Sequence, residues 1–326
     1  MIEPAMSPLL AVLLGALQGV AEFLPISSSG HLALAQAWLG VDPSAGGHTF
    51  NIVVHAGTLL AVLLFYRQDL GALLRAVLQP RQVPLLHHPD LPEKPGPHIA
   101  VDPAPTEPLA LRDDLADGPG ARPGPPLDVV PARVGPPLNT ARALLFALII
   151  GTLPLVLALS DTTMAIVLEA ESSTRWIGCG FLVTAALLFF SHRRNDAVAS
   201  LDAPRPWQAL VIGLAQLVAI LPGISRSGST MAAAMALGLG RLPAARFSFL
   251  LSIPAILGAS LKETLDLLEH GSPAGIAPTS YALGFLAAFA IGTLTLRALM
   301  TLLVRVGLLP FVPYLIALGV AVLATS

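Results

Sequence analysis

The sequence predicts an all-α integral membrane protein, built as an inverted repeat of two halves with six transmembrane helices and two re-entrant helical hairpins. Three observations predict it. Of 326 residues, 54% are hydrophobic and 12% charged, with a mean hydropathy of +0.75, whereas a soluble domain carries about 25% charged residues. Apolar runs rich in Ala, Leu and Gly, without strict alternation, recur along the chain, which favours helices over barrel strands. Two of these runs break at a proline into similar Ser/Gly-rich turns. So few charges cannot clothe a water-soluble fold, which excludes an ordinary cytosolic enzyme. A net charge of −2 offers no basic face for phosphates to follow, which excludes nucleic-acid partners.

The runs cover residues 8–24, 50–66, 141–160, 176–191, 207–221, 246–261, 281–300 and 310–325. Several fall short of the about 20 residues that a comfortable crossing needs. Residues 1–66 hold the first re-entrant hairpin and the first crossing helix. The opening Met1-Ile2-Glu3-Pro4 carries no Lys or Arg, so the first run reads as retained rather than as a signal peptide. Residues 67–140 read as a Pro-rich cytoplasmic loop, mostly disordered from 80 to 137. Between Pro80 and Pro137 lie 16 of the 30 prolines, and no Phe, Tyr or Trp appears between Tyr66 and Phe146. Such a stretch cannot bury enough apolar surface to offset the entropy of ordering it. Its His87, His88 and His98 read as solvated. Residues 141–206 are central transmembrane helices, and the single cysteine, Cys179, reads as a small buried hydrophobe among them. Residues 207–326 hold the second hairpin and the C-terminal transmembrane helices, in one membrane domain overall.

The two hairpins are copies. Residues 15–32 read GALQGVAEFLPISSSGHL and residues 213–230 read GLAQLVAILPGISRSGST. At an offset of 198, Gly15, Gln18, Val20, Ala21, Ile26, Ser27, Ser29 and Gly30 meet identical residues. In each copy an apolar helix reaches Pro25 or Pro222, breaks, and resumes as another apolar run. Broken backbone at membrane depth survives only when protein buries it or it lines a watery cavity. Two such segments at matching positions point to a site near the bilayer midplane. The cations agree with this layout: threading the chain through six crossings puts fifteen on one side. Arg175 and Lys262 fall on the other, and Arg226 lies inside the second hairpin. The rich side is cytoplasmic by the positive-inside rule.

Chemistry concentrates in the same hairpins. Glu22 is the only acid between Glu3 and Asp42, and a carboxylate in an apolar segment must be paired, protonated or hydrated. Gln18 stands one turn earlier on its face. Ser27, Ser28, Ser29, Gly30 and His31 follow in the turn. In the second hairpin Arg226 lies among Ser225, Ser227, Ser229 and Thr230, and its planar, always-charged fork suits phosphate oxygens. A helix opening there adds free backbone N–H groups to an anion site. Arg226 and those amides would bind a diphosphate, helped by Ser27, Ser29, Gly30, Ser225, Ser227 and Thr230. Ser28 or His31 would attack or would activate water, and Glu22 would accept the proton or hold a divalent cation. The pattern is neither a Walker loop nor an HExxH zinc site.

The stretches QGVAEFLPISSSGHL and LPGISRSGST closely resemble the two signature segments of the undecaprenyl-diphosphate phosphatase family, the bacitracin-resistance proteins. Those patterns are E or Q, three residues, then E; PxSSxGH; and PGxSRSxxT. Weaker similarity, as in RFSFLLSIPAILGA at 246–259, extends over almost the whole chain. The resemblance implies the same fold of six crossing helices and two oppositely entering hairpins. It implies removal of the terminal phosphate of undecaprenyl diphosphate, which recycles the lipid carrier for peptidoglycan synthesis and confers bacitracin resistance. It further implies a divalent cation, Mg²⁺ or Ca²⁺, on Glu22 with Gln18, and Glu22, Ser28, His31 and Arg226 as the essential residues. The expected location is a bacterial plasma membrane, the inner one in a Gram-negative cell, with the site facing the periplasm or exterior. Partners are the polyprenyl diphosphate lipid and the bilayer, with a homodimer left open. Two departures stand out: Gln18 takes the place of an acid, and the 80–137 insertion is longer than the family leads one to expect. The competing reading is an inverted-repeat secondary transporter or flippase for polyprenyl phosphates, which needs binding groups but no nucleophile.

Overall fold

A computed structural model describes residues 6–41, 48–79, 136–171, 173–192, 203–270 and 276–326. The described residues are helical, with no strand. The helices are α1 (Pro8–Ala21), α2 (Ser28–Leu39), α3 (His48–Phe65), α4 (Arg67–Leu78), α5 (Leu138–Thr152), α6 (Asp161–Glu171), α7 (Thr174–His192), α8 (Pro206–Val218), α9 (Arg226–Ala236), α10 (Arg241–His270), α11 (Pro278–Arg305) and α12 (Phe311–Thr325). A 3₁₀ segment, Leu153–Leu159, extends α5. All of them belong to one compact unit. The loop expected at 80–137 lies, but for its last two residues, outside the described ones.

Four stretches are long and apolar enough to cross a membrane: Leu138–Ala158, Thr174–Ser191, Arg241–Lys262 and Pro278–Arg305. A fifth arises if α3 and α4, bent by 73°, count as one span. The sixth expected crossing, α12, has 15 residues, about 22 Å at a 1.5 Å rise. The chain is thus an all-α, multi-pass membrane protein. The outer surface agrees, with Leu13, Phe146, Phe190, Leu286 and Ile316 all exposed. Trp38, Trp176 and Trp207 are exposed as well, each near a helix end, where indole rings favour the membrane–water boundary.

Cys179 is exposed, not buried as its composition suggested. The reason is physical: where the solvent is lipid, an apolar side chain gains little by turning inward.

The runs that break at proline are helix–turn–helix units, α1–α2 and α8–α9. Their arms have 14, 12, 13 and 11 residues, all shorter than a crossing. Proline opens the first arm of each, which costs no hydrogen bond at N1. Ser7 caps α1 by accepting from Leu10 N–H at 3.2 Å. The second arms are capped alike: Ser27 accepts from Gly30 N–H at 3.4 Å, and Ser225 accepts from Gly228 N–H at 3.1 Å.

Each first arm lies backbone to backbone against a helix of the other half. A Cβ on Gly15 would strike Gly284 of α11, and a Cβ on Gly213, its match at the offset of 198, would strike Gly151 of α5. Around these contacts the core closes with Phe23 and Phe249 edge to face at 5.8 Å, both fully buried.

Candidate active site

Glu22 caps the C-terminus of α1, its backbone N–H donating to the Gln18 carbonyl at 2.9 Å. Gln18 is fully buried and Glu22 is 6% exposed. The chain then turns through Pro25 and Ile26 to Ser27, whose φ of +73° is the only positive value at a non-glycine among the described residues. A serine there is strained by about 1–3 kcal/mol, a cost that folded proteins retain mostly at functional turns. In the second hairpin a glycine, Gly223 at φ +85°, takes the left-handed position instead.

The strained turn points Ser28 back at the acid. Its hydroxyl donates to Glu22 Oε2 at 2.6 Å, and Gln18 Nε2 donates to the same oxygen at 3.1 Å. From the other hairpin Arg226 forms an ion pair with Glu22 Oε1. The carboxylate is therefore held on both oxygens by three side chains from two helix–turn–helix units. A buried carboxylate needs this pairing and these donors to stay ionised. Arg226 and Ser28 each sit at the first position of a helix, α9 and α2, so free backbone N–H groups lie beside them.

Other hydroxyls are committed to the scaffold. Ser227 donates to the Leu24 carbonyl at 3.3 Å, tying one turn to the other. Thr230 bonds the Arg226 carbonyl at 2.8 Å and Ser248 Oγ at 2.5 Å. Ser225 Oγ and Ser227 Oγ are 3.3 Å apart, as are Ser27 Oγ and Ser29 Oγ. Gly30 serves by its size, because a Cβ there would lie 2.9 Å from the Phe181 ring. Ser229 is buried with its Oγ unpartnered.

His31 does not join Glu22. Its Nδ1 lies 2.7 Å from the Ser27 carbonyl oxygen and its Nε2 lies 2.6 Å from the Tyr314 hydroxyl. The histidine beside the carboxylate is His55 of α3, with Nε2 3.8 Å from Glu22 Oε2. Its Nδ1 sits 2.7 Å from the Asn51 carbonyl oxygen; a carbonyl only accepts, so that nitrogen carries a hydrogen. Sequence reasoning passed over His55, although a lone imidazole inside the apolar run 50–66 was the available signal. Helix α7 indexes both turns. Phe181 packs under Gly30, a Cβ on Gly180 would lie 2.6 Å from the Pro222 carbonyl oxygen, and Thr184 Oγ1 accepts from Ser225 N–H at 3.0 Å.

The residues that would hold a divalent cation are Glu22 and Gln18. No group of three or more His, Cys, Asp or Glu gathers among the described residues. Gln18 Oε1, however, is buried and unpartnered next to the Glu22 carboxylate. One carboxylate with an amide oxygen is a set that Mg²⁺ or Ca²⁺ accepts when substrate phosphates supply further oxygens. Arg226 Nη1 is likewise buried without a partner, a donor left over after the ion pair.

Comparison with known proteins places the chain in a family. The family model described as bacitracin resistance protein BacA matches residues 11–93 and 129–321. An undecaprenyl-diphosphatase of Alcanivorax borkumensis is 38% identical over 316 residues, covering 96% of this chain and 97% of that one. One of Methanosphaera stadtmanae is 33% identical over 319 residues, covering 97% of each. The matched segments contain Gln18, Glu22, Ser28, His31 and Arg226, and the chain belongs to the bacitracin resistance protein BacA family.

Proposed function

We propose that this protein is an undecaprenyl-diphosphatase, hydrolysing undecaprenyl diphosphate to undecaprenyl phosphate and inorganic phosphate. The relatives bear that name over nearly the full length of the chain. The single observation that carries the chemistry is the Glu22 carboxylate, which receives the Ser28 hydroxyl on one oxygen and Arg226 on the other.

Ser28 Oγ attacks the terminal phosphorus as its proton passes to Glu22 Oε2, and the bond from that phosphorus to the bridging oxygen breaks. The bridging oxygen leaves with the lipid monophosphate. Water, giving a proton to His31, then attacks the phosphoserine phosphorus; the bond to Ser28 Oγ breaks, the proton on Glu22 returns to Ser28 Oγ, and inorganic phosphate is released. The unpartnered Nη1 of Arg226 and the amides opening α2 and α9 face the charge on the equatorial oxygens. The 2.6 Å contact to Glu22 favours Ser28 over His31 as nucleophile. Mg²⁺ or Ca²⁺ held by Glu22 and Gln18 Oε1 would neutralise part of the diphosphate charge. A transporter needs no hydroxyl poised on a carboxylate, so the same contact favours the enzyme.

The architecture in this reading is an inverted repeat, with α1–α2 and α8–α9 as re-entrant hairpins meeting from opposite sides. The paired contacts of Gly15 on Gly284 and Gly213 on Gly151 support it. The site opens to the periplasm or exterior, the cation-rich loops being cytoplasmic. The test is phosphate release from a polyprenyl diphosphate by purified protein in detergent with Mg²⁺ or Ca²⁺ present. Steady release that Arg226→Ala abolishes is the expected result. No release by the unsubstituted protein, or full release by Arg226→Ala, overturns the reading.

A further inference from the structure

His31 is fixed at both ring nitrogens by groups far apart in sequence. The Ser27 carbonyl can only accept, so Nδ1 carries a hydrogen, and in the neutral imidazole Nε2 is then the lone pair. The Tyr314 hydroxyl lies 2.6 Å from Nε2, and the two rings are only 14° from parallel. The phenol O–H therefore donates to that lone pair. Phe181 closes a third side, its ring centroid 5.1 Å away at 64°. The ring is thus fixed in rotation, in tautomer and against one wall.

Tyr314 comes from the first turn of α12, a helix otherwise apolar, and is 45% exposed on the outer side. A tyrosine at that position gains nothing from its hydroxyl unless the hydroxyl has a partner. Among the described residues its hydroxyl bonds His31, 283 residues earlier. We propose that Tyr314 is a positioning residue for His31, its phenol O–H holding Nε2 as an oriented acceptor. This rests on the proposed function, in which His31 takes the proton of the attacking water. An arriving O–H donor, from water or from the phosphate headgroup, then meets a lone pair already aimed, and the half-exposed phenol has room to yield its place.

The test pairs kinetics with a spectroscopic signature in the full-length protein in detergent. Tyr314→Phe keeps the ring and removes only the hydroxyl. We expect kcat to fall by about 10–100-fold, the range for lost orienting partners, with KM moving by less than about twofold. The double variant Tyr314→Phe/His31→Ala should be no slower than His31→Ala alone, because the two act as a unit. In protein labelled with ¹⁵N-histidine, the His31 Nε2 resonance, identified by its loss in His31→Gln, should move toward the position of an unbonded acceptor nitrogen in Tyr314→Phe. Additive losses, or an Nε2 resonance that Tyr314→Phe leaves in place, overturn the inference. Full activity in Tyr314→Phe while His31→Ala is dead overturns this inference alone. Full activity in His31→Ala removes the reading beneath it, and the inference falls with it.

Discussion

Ser28 and Arg226 occupy the same position in two copies of one motif, 198 residues apart, and both side chains end on the carboxylate of Glu22. Each is the first residue of its helix and each follows a serine cap. At that position one copy carries a serine hydroxyl and the other a permanent cation. The third member, Glu22, faces Ile220 in the alignment. In the proposed reaction the two half-motifs would divide the labour of one centre.

Glu22→Gln keeps the size of the side chain but not its charge. It should lower kcat by about 10²–10⁴-fold, the contribution of a positioned general base. Phosphate release measured beside the thermal midpoint in detergent checks this. Glu22→Ala should also destabilise by about 3–5 kcal/mol, since it strands a mostly buried Arg226.

Ser28→Ala should abolish turnover without lowering the thermal midpoint, because Ser28 bonds Glu22 but not the backbone scaffold. Rapid quenching of the unsubstituted protein with substrate should leave phosphate on the peptide carrying Ser28. Wild-type turnover in Ser28→Ala would exclude serine as the nucleophile.

Gln18→Glu should tighten the cation requirement, because a second carboxylate replaces an amide oxygen at a hard-cation site. A titration of activity against free Mg²⁺ or Ca²⁺ should show half-saturation at a concentration lower by about tenfold, on the order of 1.4 kcal/mol. Gln18→Leu should raise it.

His55→Ala should slow kcat/KM by about threefold to tenfold, on the order of 1 kcal/mol for a partly solvated charge neighbour. Its nitrogen is 3.8 Å from Glu22, whereas Ser28, Gln18 and Arg226 all stand closer. A loss as deep as that of Glu22→Gln would give His55 a direct chemical part.

Gly213→Ala should destabilise by about 1–3 kcal/mol through overpacking, with the same effect at Gly15→Ala. Neither glycine touches the site, and each would press a methyl group into a neighbouring backbone. Equal shifts in thermal midpoint at the two positions would support the repeat, and a shift at one alone would count against it.

The helices, the broken runs and the trio Glu22, Ser28 and Arg226 were legible in the sequence because scarce polar residues stand out against apolar ones. Inside and outside were not. Cys179 faces outward because lipid and protein interior are equally apolar, so hydrophobicity carries no directional signal there. His31 was expected at Glu22 because both belong to one short turn, yet its partner Tyr314 comes from the last helix. Local spacing cannot announce a contact made by folding 283 residues of chain. His55 was hidden for the same reason: its run read as a plain crossing until α3 was brought against α1.

Helix α7 touches both turns, through Phe181 at Gly30 and through Gly180 and Thr184 at Pro222 and Ser225. One helix thus sets the height of both turns, and with them that of Ser28 and Arg226. In the proposed reaction the spacing of attacker and clamp would then depend on the packing along α7 rather than on the thickness of the surrounding bilayer.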